Sequence, residues 1–181
     1  MLTIEAKFNK KSTVNDVMAK ATLLNGRRIS FGYPHGVPVA APSRRGSGHK
    51  PYKDIEEVRK IMTWQEKGTQ HIFPRPFFGP MMEKKHDEIE SRATRLMSNV
   101  LHKDKDVDQE FSDLGFYLAE KTQEQIRDRK APLLKPATVK RKRSKLLLRD
   151  TWAAYNSVTF KLSGKASRPK DIIREIPVMV N

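Results

Sequence analysis

Apolar and polar residues alternate where the chain begins. Leu2, Ile4, Ala6 and Phe8 fall on one side and Thr3, Glu5 and Lys7 on the other, the period of two that marks a half-buried strand. The period then lengthens. Val14, Val17, Met18, Ala21 and Leu24 make an apolar stripe over a short helix with Ser12 or Thr13 as its cap. Gly26 stands where a helix C-terminus favours a left-handed residue. Residues 27–33 read as a second strand, with Ile29, Phe31 and Tyr33 opposed to Arg28 and Ser30. Asp54 is placed to cap a helix over about 55–66 with Ile55, Val58, Ile61 and Met62 inward and Gly68 closing it. Two longer helices are predicted next. Met82, Ile89, Leu96 and Met97, backed by Ala93 and Val100, mark 81–101; Phe111, Leu114, Leu118, Thr122 and Ile126 mark 108–129. The join over 102–107 is short and polar, as in an antiparallel helical hairpin. Gly115 costs its helix about 1 kcal/mol against alanine, which points to close packing at that position. Residues 155–162 alternate again, and 171–180 read as a last strand whose Pro177 argues for a sheet edge or bulge.

These segments predict an α+β fold in a single domain over 1–181: a small mixed or antiparallel sheet of about four strands, two from each chain end, covered by the helical hairpin. Two stretches interrupt the pattern. Residues 34–53 contain Pro34, Pro38, Pro42 and Pro51 with Gly36, Gly46 and Gly48, and read as an extended loop or arm that orders on a partner. Residues 74–80, with three prolines, are expected to run extended.

The composition narrows the functional classes. The chain has 181 residues, 36 basic and 21 acidic, for a formal charge of +15. That excess favours polyanions or acidic protein surfaces as partners. It contains no cysteine, which excludes disulfides, thiolate zinc sites and a cysteine nucleophile. No apolar run reaches the roughly 18–20 residues of a membrane span, and the first residues lack the apolar stretch of a signal peptide. A soluble protein of a reducing compartment, without a membrane partner, is expected.

Candidate chemistry is sparse. His35, His49, His71, His86 and His102 fall in no metal-binding spacing; His86 and Glu90 alone do not make a site. Asp104, Asp106 and Asp108 resemble half of a calcium loop, but the glycine expected at the sixth position is absent and Glu110 comes too early. Gly46-Ser47-Gly48 lacks the lysine–serine pair of a phosphate loop, and there is no nucleophile elbow. No catalytic activity, cofactor or metal is expected. The stretch from Lys135 through Lys140, Arg141, Lys142, Arg143, Lys145 and Arg149 carries no acid until Asp150, a composition for phosphate contact or for an acidic protein surface. It has no interleaved aromatic residue for base stacking. In Arg75-Pro76-Phe77-Phe78 two adjacent phenylalanines of an extended chain point to opposite sides. Either one plugs a sheet–helix gap with the other half-exposed, or one is left for a partner, since arginine and aromatics anchor interfaces.

In order along the chain these pieces resemble a family. Trp64-Gln65-Glu66-Lys67-Gly68-Thr69, then Ile72-Phe73-Pro74-Arg75-Pro76-Phe77-Phe78, is similar to a helix ending in E-x-G-T followed by P-x-R-P-F-aromatic, here without the residue between the first proline and arginine. Ala131-Pro132-Leu133-Leu134, Pro136-Ala137-Thr138, Lys140-Arg141-Lys142, Leu147-Leu148-Arg149-Asp150-Thr151 and then Ser157-Val158 resemble P-L, S/P-x-T-x-x-x-K, P-L-x-D-T-G-x-L and S-I/V. Trp152 stands at the glycine, and Ala153-Ala154 where leucine is usual. The pattern, over about 27–162, is that of the neck or tail-completion (head–tail joining) proteins of tailed bacteriophages. The resemblance implies a non-enzymatic virion protein, present in the host cytoplasm during assembly. It would form a homo-oligomeric ring around the DNA passage, six-fold in preference to twelve-fold, between portal-side head-completion proteins and the tail-tube or terminator proteins. Arg75, Pro76, Phe77 and Phe78 would then lie at the subunit or ring contact, and Lys140, Arg141, Lys142, Arg143 and Lys145 at viral DNA phosphates or an acidic partner. The alternative is a basic nucleic-acid-binding accessory protein, ribosome-associated for example, whose binding would fall steeply with salt.

Overall fold

The computed structural model describes residues 14–40, 52–129, 133–142, 152–163 and 172–174; it is mostly helical with a small antiparallel sheet. In chain order the elements are α1 (Val14–Leu24), β1 (Arg28–Gly32), α2 (Ile55–Lys67), α3 (Phe78–Lys84), α4 (His86–Lys103), α5 (Val107–Asp128), α6 (Pro136–Lys142), α7 (Ala153–Asn156), β2 (Thr159–Ser163) and β3 (Ile172–Arg174). The strand expected over 2–8, the end of the one expected over 171–180, and residues 41–51 of the expected arm lie outside the described residues.

Strand β2 is central. It pairs antiparallel with β1, Phe160 opposite Phe31 and Leu162 opposite Ile29, and on its other edge with β3. Residues two apart on a strand share a face, so Val158, Phe160 and Leu162 form one apolar row, all buried. Segments from the two halves of the chain thus meet in one sheet, which α5 crosses against β1 and β2. Asp106 opens α5 by accepting the Gln109 N–H at 2.7 Å, and Phe111, Leu118, Thr122 and Ile126 are buried as the spacing predicts. Gly115 is where α5 meets β2. A Cβ built there falls 2.7 Å from Phe160 Cγ and 2.8 Å from Cε2, so only glycine admits the ring. Phe116 also meets Phe160 edge-on, with centroids 4.9 Å apart.

Two clusters flank this contact. One joins Leu96 and Val100 of α4, Val107 and Phe111 of α5, and Phe160 and Leu162 of β2. The other joins Ile55, Val58 and Met62 of α2 to Phe77, Ala119, Ile126, Ala154, Tyr155 and Val158. Helix α2 follows its local signals closely: Asp54 accepts the Glu57 N–H at 2.9 Å and Gly68 caps the end at φ 78°.

Five expectations are corrected. The helix predicted over 81–101 is two, α3 and α4, broken at Lys85. Helix α3 starts at Phe78 rather than after Pro80, and the shifted phase buries Met81 where Met82 was expected. The irregular reading of 130–150 misses α6. The strand predicted from residue 155 begins at Thr159, because 153–156 form α7. Met18 of the α1 stripe is exposed. Residues up to Ala40 of the expected arm are packed down: Pro34 and Val37 are buried and Ala40 donates its N–H to Ser157 Oγ at 2.9 Å.

Gly115→Ala sets a gain of about 1 kcal/mol in helix propensity against overpacking that costs about 1–3 kcal/mol. The Phe160 ring is fully buried and has no open space to move into, so overpacking prevails. The expected outcome is a lower urea midpoint, followed by circular dichroism.

Candidate functional site

The segment that carries the first half of the motif folds as one interlocked unit. Helix α2 ends at Lys67, and Gly68 takes a left-handed φ where a Cβ would lie 2.9 Å from Ile72 O and 3.0 Å from Pro74 N. Thr69 then closes a small loop. Its Oγ1 accepts the N–H groups of His71 and Ile72 at 3.3 and 3.1 Å, and its backbone pairs with Ile72. The chain returns beside α2, where Arg75 donates its backbone N–H to Gln65 O at 2.6 Å and its Nη1 to Gln65 Oε1 at 2.8 Å. Burial lowers the Arg75 guanidinium pKa from its ordinary value.

Glu66 does the most in this unit. Its Oε2 accepts the N–H groups of Phe77 and Phe78 at 2.7 and 3.0 Å, and its Oε1 that of Gly79 at 3.0 Å. These are the first backbone donors of α3, which no helix can satisfy internally. The next residue is Pro80, which has no N–H to satisfy, and Met81 makes the first bond of the helix, back to Phe77 O at 3.3 Å. One carboxylate and one proline therefore settle the whole N-terminus of α3. Pro80 breaks nothing, because a proline in a first helical turn replaces a donor that would otherwise be orphaned.

Of the predicted contact residues, Phe77 is 3% exposed and belongs to the α2–α5 cluster. Phe78 is half-buried and stacks on Phe31 with centroids 5.1 Å apart. Arg75 is turned back onto Gln65, and Pro76 is half-buried beside it. The aromatics this unit leaves outward are Phe73, 68% exposed, and Trp64, 42% exposed, with Lys60 Nζ 5.1 Å from the indole centroid. Trp64 was open to sequence reasoning, since it lies off the Ile55–Val58–Met62 stripe.

Lys140, on α6, is exposed together with Lys135 and Leu133 just before the helix. Arg141 and Lys142 end α6. Arg143 and Lys145 lie outside the described residues. At the second half of the motif Trp152 occupies the left-handed region, φ 66° and ψ −5°, a conformation that favours glycine and costs another residue about 1–2 kcal/mol. Its ring meets Tyr155 edge-on at 5.2 Å and packs on the α2–α5 cluster, which offsets that cost. Ser157 Oγ donates to Ala153 O at 2.7 Å while accepting from Ala40.

The acidic groups around the α4–α5 join have structural work. Asp104 caps α4 in a left-handed conformation and pairs with Lys20 at 2.5 Å; Asp106 caps α5; Asp108 pairs with Arg27. His86, Asp87 and Glu90 bring three ligand atoms within 4.8 Å of one another, Asp87 adding to the pair visible in the sequence. A cluster that sequence reasoning missed links α4 to α5. The Arg92 guanidinium lies 3.8 Å over the Tyr117 ring, and Glu88 takes a 2.8 Å bond from Lys85. Lys85 first, and then the Tyr117 hydroxyl, hold the Glu88 carboxyl at about 2. Burial, with Glu88 adding to it, pushes the Tyr117 hydroxyl up to about 12. Among the described residues no helix is long and apolar enough to cross a membrane. No protein-family model, curated protein or solved structure matches this chain.

Two outcomes follow from this geometry. Glu66→Ala leaves three N–H groups without their acceptor and should lower stability by about 1–3 kcal/mol, with faster amide hydrogen exchange at Phe77, Phe78 and Gly79. Unchanged exchange there would contradict the capping role. The Glu88 carboxyl is depressed in the folded state, so its stabilising contribution is full above about 4.5 and disappears as pH falls toward about 2. Glu88→Gln should flatten that part of an acid-unfolding profile relative to the parent protein.

Proposed function

We propose that this protein is a structural component of a tailed-bacteriophage head–tail connector, a neck or tail-completion subunit that forms a ring around the DNA passage between the portal complex and the tail. The observation that carries this reading is the Trp64–Gly79 unit. The residue types that make up the motif are those its fold uses: Glu66 as the cap, Gly68 for a positive φ, Thr69 for the loop, Arg75 against Gln65, and Phe77 in the core. The left-handed backbone at Trp152, where the motif has glycine, supports it independently.

In this reading the protein works by contact and not by turnover, with no cofactor. Phe77 and Phe78 anchor the unit inward, and Trp64 and Phe73 are the groups it presents to the next component of the connector. The basic segment that includes Lys135 and Lys140 meets an acidic surface or the phosphates of the DNA in the passage. The six-fold ring is the preferred form.

The full-length protein, purified without nucleic acid, should form a discrete oligomer by light scattering and a ring with a central opening by negative-stain microscopy, and it should bind purified tails or portal assemblies. A monomer at all concentrations that joins neither would defeat the proposal. The exposed cations at Lys135 and Lys140 favour the second reading, an accessory nucleic-acid-binding protein. That role requires affinity for duplex or RNA that falls by orders of magnitude between low and physiological salt, with no ring formed.

A further inference from the structure

The first turn of α4 gathers three side chains whose donor atoms could hold a metal ion, the one such group among the described residues. His86 Nδ1 is 3.4 Å from Asp87 Oδ1 and 3.9 Å from Glu90 Oε2, and the three donor atoms lie within 4.8 Å of one another. Helix geometry puts them there. Residues four apart share a face, so Glu90 stands one turn along from His86, and Asp87 adjoins His86 at the start of the helix. One regular helix carries all three donors, so none depends on a loop for its position. His86 and Asp87 are exposed and Glu90 is half-buried, so an ion in water reaches the donors directly.

The charges nearby are engaged elsewhere. Lys85 bonds Glu88 at 2.8 Å, and Arg92 lies 3.6 Å from the same carboxylate with its guanidinium over the Tyr117 ring. Those groups follow a separate stripe of the helix. Arg95 and Lys103 share an open cavity wall with Glu90, but among the described residues His86 is the only ion-pair partner of Glu90. Glu83 and Lys84, both exposed at the end of α3, offset one another. Charge here is close to balanced, and what sets His86, Asp87 and Glu90 apart is the chemistry of the donors. An imidazole nitrogen with carboxylate oxygens suits first-row divalent ions such as Zn²⁺, whereas Mg²⁺ and Ca²⁺ favour oxygen ligands. A tetrahedral ion about 2.0–2.1 Å from each donor holds the donors about 3.3 Å apart. The Asp87 separation is already close to this, and Glu90 needs to approach by only ~0.6 Å, which rotation of its carboxylate supplies.

We propose that His86, Asp87 and Glu90 form a surface site for a divalent first-row transition ion, Zn²⁺ in the first place, with water completing the coordination. The nitrogen binds as a free base, so a proton it shares with Asp87 leaves for solvent. The bound ion ties the first turn of α4 to the second, directly after the break at Lys85, where no side chain caps the helix. The site is independent of the ring reading, and neither stands or falls with the other.

The full-length protein is titrated with zinc chloride in a non-chelating buffer and followed by calorimetry and by the ¹⁵N signals of the histidine rings. One equivalent should bind at micromolar concentrations, with the His86 ring metallated at Nδ1. Amide exchange should slow at Ile89 and Glu90, while Phe77, Phe78 and Gly79, held by Glu66, keep their rates. His86→Ala and Glu90→Gln should each weaken binding at least about tenfold, with circular dichroism at parent values. His35→Ala, which removes a histidine paired with Glu56 instead, should leave binding unchanged, and an equal concentration of Mg²⁺ should not compete. No saturable binding, or a His86→Ala protein that binds as the parent does, overturns the site. Zinc that metallates His35, His49, His71 or His102 first is adventitious histidine binding and overturns it as well. Equal competition by Mg²⁺ does the same, since the cluster would then be an unselective acidic surface.

Discussion

The contact of the Phe160 ring with the bare backbone of Gly115 is the constraint on which the rest of the structure depends. Phe160 is in the central strand, Gly115 is midway along the longest helix, and the ring lies where any Cβ would be. Close approach there fixes the height of α5 above the sheet and its position along β2. Leu96, Val100 and Phe111 on one side, and Ala119, Ile126 and Val158 on the other, can then close around the same two elements. A helix with alanine at this point would pay less for its own backbone and would stand farther from the strand. The propensity lost at Gly115 is therefore exchanged for burial of a large aromatic ring, the more valuable term, since a buried aromatic side chain is worth about 1.5–3 kcal/mol.

A second constraint is polar and operates at the α2–α3 boundary. A short helix with no side-chain cap of its own begins with a row of unbonded N–H groups, and here a carboxylate from the preceding helix reaches three of them. Because Glu66 sits on the last turn of α2 and its acceptors on the first of α3, the bond sets the relation of the two helices as well as closing one of them. Phe77 is thereby delivered to the α2–α5 cluster and Phe78 to Phe31 of the sheet. The path from Trp64 to Gly79 is stiff for reasons that can be named: a left-handed glycine, a threonine-closed loop, two prolines around Arg75 and a shared carboxylate.

How much of this was legible in the sequence depends on how local each signal is. Helix α2 was readable nearly to the residue because Asp54 and Gly68 act within a few residues of themselves. The α5 stripe was readable because its apolar positions keep one phase for six turns. Gly115 announced a close approach, although only the fold names Phe160 as what approaches. Pro80 misled, since a proline looks the same whether it ends a helix or opens one; the difference lies in Glu66, fourteen residues earlier, which no local rule consults. The strand expected from residue 155 failed for a related reason. Residues 153–160 are all buried, so alternation carried no contrast between core and solvent there, and α7 was hidden within it. For the contact segment, adjacency suggested opposite-facing phenylalanines, and of its two alternatives the one in which a phenylalanine plugs the core and the other stays partly exposed is the one found, with Phe77 buried and Phe78 half-buried on Phe31; the outward aromatics are Trp64 and Phe73, set by the phase of α2 and by the loop at Thr69.

Charge acts at a different level from these packing constraints. The formal excess of +15 works against the association of identical copies at long range, so any self-assembly must place opposite signs together at short range, where screening over about 8–10 Å leaves the local pattern in control. The acidic residues at the α4–α5 join are tied down: Asp104 and Asp106 by their capping roles, Asp108 by Arg27. Carboxylates spent on helix ends are fixed in space and remain partly exposed, with Asp104 keeping 78% of its side-chain surface. The same groups that terminate α4 and start α5 are held against Lys20 and Arg27, and Arg92 and Arg95 line one cavity with Glu110 and Asp113, so charge at this join is balanced locally.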